Sequence, residues 1–437
     1  MVFNKMTSFN LPKLQFKFIG NACGIFIGSR GTKILCDPWI INGVFEGSWF
    51  HYPKLNSTLS DFDDINAVYL SHIHQDHFDD RNFNFNKSIP IIVLDHEPNF
   101  LIKKLVSLGF KNLIKIKNLE TRKFNEFNLT MFAPFCKHNF YHAVIGNIID
   151  SALLIDCNGI TALNSNDNTL SVESAKMIRN KFGKLNLAML NYNSAGPYPS
   201  CFDNLTEDEK ISEHHRIIQR NFSHLKKIIE ILEPYNVLPF AGSYVLAGSS
   251  YHKNKYLGTS TWDDCVSWLS KNYNGDTKAV LLRENDIFNL ETSSANNKYI
   301  PIDLVDMKDY IEKELAFIQY PYQKEVFPNE NELIECLEIA ANKMKNRMKN
   351  YGISTNFNII INLFKTNFLI YPNFQKNCSI NKYDKRLVCY LDERLLNNIV
   401  RRKSNWNNAE IGGHIKMNRM PNIYEPDLHI GLQFLHM

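Results

Sequence analysis

The chain has no run of about eighteen uninterrupted apolar residues, the least that a membrane-crossing helix needs. Its start, MVFNKMTSFNLPKLQFKF, has no basic segment leading into a long apolar core and a small-residue cleavage site. Neither a membrane span nor a signal peptide is expected. Any C-x-x-C pair is missing too. The nine cysteines, Cys23, Cys36, Cys136, Cys157, Cys201, Cys265, Cys336, Cys378 and Cys389, are odd in number and widely scattered. This is the pattern of reduced thiols in a cytoplasm, not of a disulfide framework or a structural zinc knuckle. An excess of one charge sign is also lacking: 49 Lys and Arg against 45 Asp and Glu leave a formal +4 over 437 residues. With no long basic block, bulk charge supports neither nucleic acid nor an anionic membrane as partner, and a small molecule is the expected one. Arg401-Arg402-Lys403 is a short basic run that reads as a solvated helix end.

What is present is ordinary globular composition, 44% hydrophobic and 22% charged. The length exceeds one ordinary core, so a large domain and a smaller one are expected. Leu14-Gln15-Phe16-Lys17-Phe18 alternates, and Ile25-Phe26-Ile27 and Lys33-Ile34-Leu35 flank a Gly28-Ser29-Arg30-Gly31 turn, which predicts a hairpin closed by Asp37-Pro38-Trp39. Short apolar runs at 65–70, 91–94, 129–132, 152–155, 160–163, 187–190 and 237–240 predict further strands. From Thr206 to Glu233, apolar residues recur at three- and four-residue steps, an amphipathic helix stopped by Pro234. Strands alternating with helices indicate an α/β sandwich for residues 1–289. Residues 290–437, helical over Glu330 to Met348 and extended over Phe357 to Tyr371, are expected to form a smaller α+β accessory region.

Ser71-His72-Ile73-His74-Gln75-Asp76-His77 is the strongest chemical signal. In extended backbone, residues two apart point the same way, so His72 and His74 can present two imidazoles to one ion. A tight turn can bring Asp76 and His77 to a neighbouring position about 3.5–4 Å away, the spacing of two-metal hydrolytic sites. Imidazoles with a hard carboxylate suit Zn²⁺, Fe or Mn²⁺, one or two ions in all.

This H-x-H-x-D-H arrangement resembles the metallo-β-lactamase superfamily, as does the early Gly20-Asn21-Ala22 hairpin ending at Asp37-Pro38-Trp39. The resemblance implies an αββα sandwich and makes Asp37 a carboxylate that orients a metal-bound histidine. It also implies a bridging carboxylate, for which Asp167 in Asn164-Ser165-Asn166-Asp167 stands after the 160–163 strand. A further His is implied upstream, His142 or alternatively His138, and a last one near Pro239-Phe240-Ala241-Gly242, where His252 is nearest. More narrowly, Tyr192-Asn193-Ser194-Ala195-Gly196-Pro197-Tyr198-Pro199 and Pro239-Phe240-Ala241-Gly242 resemble the metallo-β-lactamase-like domain of CMP-N-acetylneuraminate hydroxylase and its bacterial relatives. Trp406-Asn407-Asn408-Ala409-Glu410-Ile411-Gly412 also resembles those bacterial relatives. In that hydroxylase a Rieske iron–sulfur domain accompanies the fold. No C-x-H with a partner C-x-x-H occurs here, so a Rieske centre within this chain is not expected.

The expected function is a metal-dependent hydrolase that attacks a polar, sugar-derived or phosphorylated metabolite with a metal-bound hydroxide. Asp76 stands at the catalytic centre, and Tyr192 or Tyr198 donates to the developing oxyanion. The alternative is an iron-dependent, diiron-type oxygenase acting on a nucleotide-sugar-like or other small molecule with an external electron-transfer protein. A non-catalytic binding scaffold is a third reading.

Overall fold

A computed structural model gives the architecture, described for residues 11–81, 83–135 and 148–437. Two mixed sheets face each other. The first has eight strands in the order Ser294–Ala295, Ile287–Asn289, Leu14–Gly20, Cys23–Gly28, Lys33–Cys36, Ala67–Tyr69, Ile91–Leu94 and Leu113–Ile116. The hairpin strands at its centre are antiparallel, and pairing is parallel from Lys33–Cys36 onward. The second has seven, Lys278–Ala279, Asn236–Pro239, Leu187–Leu190, Ile160–Asn164, Ala152–Cys157, Phe127–Phe132 and Thr121–Phe124.

Strand alternation divides the apolar residues between two layers. Val68, Ile91 and Val93 turn outward and bury Leu101, Ile102 and Leu105 of the helix Phe100–Ser107. Tyr69, Ile92 and Leu94 turn inward and join the core shared with the second sheet. Val172–Phe182, Glu207–Leu232 and Trp262–Asn272 pack against that second sheet, which completes an αββα sandwich. The long helix starts in a capping box, Thr206 accepting from Glu209 N while the Glu209 carboxylate accepts from Thr206 N at 2.7 Å. It stops at Glu233, which takes a left-handed conformation just before Pro234.

The C-terminal part forms a distinct helix and strand region. A sheet ordered Thr366–Tyr371, Asn358–Leu363, Arg386–Tyr390 and Lys416–Met420 packs Ile359, Ile361, Leu387 and Cys389 against Leu333, Leu337 and Met344 of the helix Glu330–Asn350. The expected single extended run over 357–371 is instead a hairpin. It turns at Phe364-Lys365, both with positive φ. The sequence hides that turn because neither residue is the Gly or Asn that two-residue hairpins favour. Between the two regions, Tyr310 and Ile311 of the helix Leu304–Lys313 pack on Tyr52, Val245 and Ala247. Among the described residues no helix is long and apolar enough to cross a membrane, and the eight described cysteines are free and buried.

Candidate metal centre

The parallel strands of both sheets point their C-terminal ends to one edge, and the site's polar residues leave from those ends. Cys36 pairs with Tyr69, so the residues that follow, Asp37 and the Ser71 loop, lie side by side, with Ser71 N donating to Asp37 Oδ1 at 2.8 Å. After Ser71 the chain folds into a tight turn closed by His77 N and Phe78 N donating to His74 O. This turn returns His77 towards His72, ring centroids 4.1 Å apart.

Each histidine is held by one nitrogen and leaves the other facing the centre. His72 Nδ1 bonds Ser71 Oγ at 2.9 Å, and its Nε2 lies 2.9 Å from His74 Nδ1. His74 Nε2 donates to Asn407 Oδ1 at 2.8 Å, which leaves Nδ1 as the lone-pair atom. His77 Nδ1 sits 3.0 Å from Asp37 Oδ2, so its Nε2 points inward, 3.4 Å from both Asp76 Oδ2 and Asp167 Oδ2. Asp167 Oδ2 is also 3.9 Å from His72 Nε2. His72, His77 and Asp167 thus converge as a metal-binding group.

Electrostatics agree with a cation-binding cluster. Burial, with His77 and His74 nearby, holds His72 well below the usual imidazole range, and burial also lowers His74. Neutral imidazoles are what a metal requires. For His77, burial opposes charge, but Asp76, Asp167 and Asp37 outweigh it and lift it well above the ordinary value. A buried positive charge is therefore favoured there, and a metal ion can supply it in place of the proton. Asp167 Oδ1 is buried without a hydrogen-bond partner among the described residues, as a ligand atom aimed at an ion would be. The set fits a divalent cation.

Two contributors carry no metal-ligand spacing in the sequence. Asp150, just before the strand Ala152–Cys157, is buried with Oδ1 3.7 Å from His72 Nε2. Burial, reinforced by Asp167, pushes it up to about 7. Its place follows from register: Leu153 pairs with Asn164, so the start of one strand lies beside the end of the other. Asn407 comes from the short helix Trp406–Ile411 of the C-terminal region. The only hint in the sequence was the family likeness of that segment.

Other expected residues fall elsewhere. His138 and His142 lie outside the described residues. His252 is exposed on a 3-10 helix, with Lys253, Lys416 and Lys210 as its charged neighbours, away from the cluster. Tyr192 is buried on the core side, facing Cys265 and Asp264, because alternation at this strand exit gives the cleft to Asn191 and Asn193. Tyr198 packs on Phe202 and bonds Asn422 at the C-terminal region. Neither tyrosine lines the cleft.

A cleft of about 520 Å³ opens on the centre, with His74, Asp76, Asp150 and Asp167 at one end and Arg220, Asn221 and Ser194 at the other. Arg220 donates to Asn221 Oδ1 at 3.2 Å and forms no ion pair among the described residues.

No family model matches the chain. A protein of Mycolicibacterium smegmatis, named as a Rieske 2Fe-2S iron–sulfur protein, is 31% identical over 199 residues, 44% of this chain and 36% of its own length. The chain thus spans about a third of that relative. A solved structure described as a possible metal-dependent hydrolase from Veillonella parvula superposes with a TM-score of 0.48 at 18% identity, covering 64% of this chain and 100% of that one. CmlA, a diiron beta-hydroxylase from Streptomyces venezuelae, gives 0.41 at 17% identity, covering 62% and 53%.

Proposed function

We propose that the chain is a metalloenzyme that hydrolyses a polar metabolite, sugar-derived or phosphorylated, in the cleft above the histidine cluster. The observation that carries this reading is the orientation of the imidazoles. Ser71, Asn407 and Asp37 engage the outer nitrogens of His72, His74 and His77; His72 and His77 converge with Asp167, and His74 Nδ1 adjoins His72 Nε2 at 2.9 Å. His72, His74, Asp150 and Asp167 would hold one ion, and Asp76, His77 and Asp167 a second. A bound divalent ion supplies Lewis acidity, lowering the pKa of the water it carries and polarising the scissile oxygen. The protein's own part is to orient. Asn21 Nδ2 holds Asp76 Oδ2 at 3.3 Å, Asn191 bonds Asp167, and Arg220 offers an unneutralised guanidinium to an anionic substrate group across the cleft.

A second reading, iron-dependent oxidation with an external electron donor, is favoured by Asp150. Two imidazoles and one carboxylate with open positions form a donor set suited to Fe(II), and the mycobacterial relative is named for a Rieske iron–sulfur centre. Loading metal-free protein separately with zinc and iron, then screening for hydrolysis of phosphate and carboxylic esters and for reductant-driven O₂ uptake, separates the two. Turnover with zinc and no O₂ uptake supports hydrolysis; O₂ uptake confined to iron-loaded protein supports the second reading.

A further inference from the structure

A second concavity lies beyond His74, on the far side of Asn407. It is a groove of about 780 Å³ between the helix Phe100–Ser107, the end of the helix Glu330–Asn350, the turn at 401–404 with the start of the helix Trp406–Ile411, and the last residues of the chain. Lys103, Lys104, Arg347, Arg402 and Lys403 line it, with Glu46 and Asp80 as its carboxylates. Asp80 is taken by Lys104, and Glu46 accepts from Ser404 Oγ at 2.6 Å. Lys103, Arg347, Arg402 and Lys403 form no ion pair among the described residues.

These cations come from separate segments and meet in one volume, which distinguishes them from a solvated basic run. Arg347 is fixed to the wall by donating to Phe434 O at 3.0 Å and His436 O at 2.7 Å. Burial, and then the nearby charge of Arg402, lowers Arg347, and beside them burial and the two arginines bring His436 down to about 4. Arg402 itself is in a left-handed conformation, φ 60°. With five cations against two carboxylates in its lining, the groove carries an excess of positive charge that concentrates anions, and the volume is that of a small-molecule site.

The geometry points to a binding site for a small molecule carrying two or more adjacent phosphate groups, held by Lys103, Arg347, Arg402 and Lys403. Clustered unneutralised cations match the clustered charge of a diphosphate better than the single charge of a carboxylate, and arginine presents its donors in a fork suited to phosphate oxygens. None of these four cations belongs to the proposed metal centre, although His74 and Asn407 form part of the wall between the two sites.

The test is calorimetric titration of the full chain with inorganic pyrophosphate and with ADP, for wild type, for Arg402→Asn/Lys403→Gln, and for His72→Ala, which alters the metal centre without touching the groove wall. Asparagine tolerates the left-handed backbone at 402, and an unchanged melting temperature shows that this variant is folded. Saturable one-site binding, weakened tenfold or more in Arg402→Asn/Lys403→Gln but retained in His72→Ala, is the expected result. The proposal fails if neither ligand binds saturably, or if binding is lost in His72→Ala and indifferent to Arg402 and Lys403. It also fails if a short single-stranded oligonucleotide binds the groove more tightly than either ligand.

Discussion

His74 bonds Asn407 through one nitrogen and faces His72 through the other, so a residue 333 positions away sets the tautomer of a proposed metal ligand. Residues that orient ligands in this way typically contribute about 10–100-fold in metal affinity. Asn407→Ala should therefore weaken metal binding by about that factor in a chelator competition; unchanged affinity would remove Asn407 from the centre. Asp150→Ala should cost more, with loss of one metal equivalent on elemental analysis, and full retention would show that Asp150 is not a ligand. At this scale the sequence is legible where the contacts are local. The His72 to His77 loop carries its candidate ligands within one turn, and Asp37 and Asp167 lie at the strand ends to which the family likeness assigned them. Asp150 and Asn407 belong to segments with no metal spacing of their own. Tyr192 was misread because alternation at a strand exit gives the cleft to its neighbours, and His252 because closeness in sequence to a strand end is not closeness to the site.

The long helix Glu207–Leu232 carries Arg220 and Asn221 to the cleft rim while burying Phe222, Leu225, Ile228, Ile229 and Leu232 beneath them. Its start depends on the Thr206 capping box. Thr206→Ala should lower stability by about 1 kcal/mol, read as a shift in the urea midpoint at constant slope; a shift indistinguishable from zero would mean that packing alone fixes the helix start. Elements such as this one, with a clear period and a chemical stop at Pro234, can be read from sequence to within a residue or two. The Phe364-Lys365 turn could not, because neither residue is Gly or Asn, nor could the strands at 386–390 and 416–420, where polar and charged residues such as Arg386, Lys416, Asn418 and Arg419 interrupt the apolar pattern.

Across the whole molecule, His414 joins the two regions. Its Nε2 bonds Phe45 O at 2.9 Å and its Nδ1 bonds Tyr322 OH at 3.1 Å. Burial holds it down to about 4, whereas an unfolded histidine titrates near 6.5. Below that value the unfolded chain takes up a proton that the folded chain refuses, so stability falls as pH drops from 6.5 towards 4, by up to roughly 3 kcal/mol. His414→Gln should flatten that slope in urea unfolding measured at pH 7 and pH 5; an identical slope would show that this histidine is not the source.

The dependence of the centre on its paired imidazoles is tested most directly by inductively coupled plasma mass spectrometry of the purified full chain beside His72→Ala/His74→Ala, with circular dichroism to confirm that both are folded. Stoichiometric zinc, iron or manganese in the wild type and its loss from the double variant is the predicted result. A wild type without stoichiometric metal, or a folded double variant that keeps its metal in full, would contradict it.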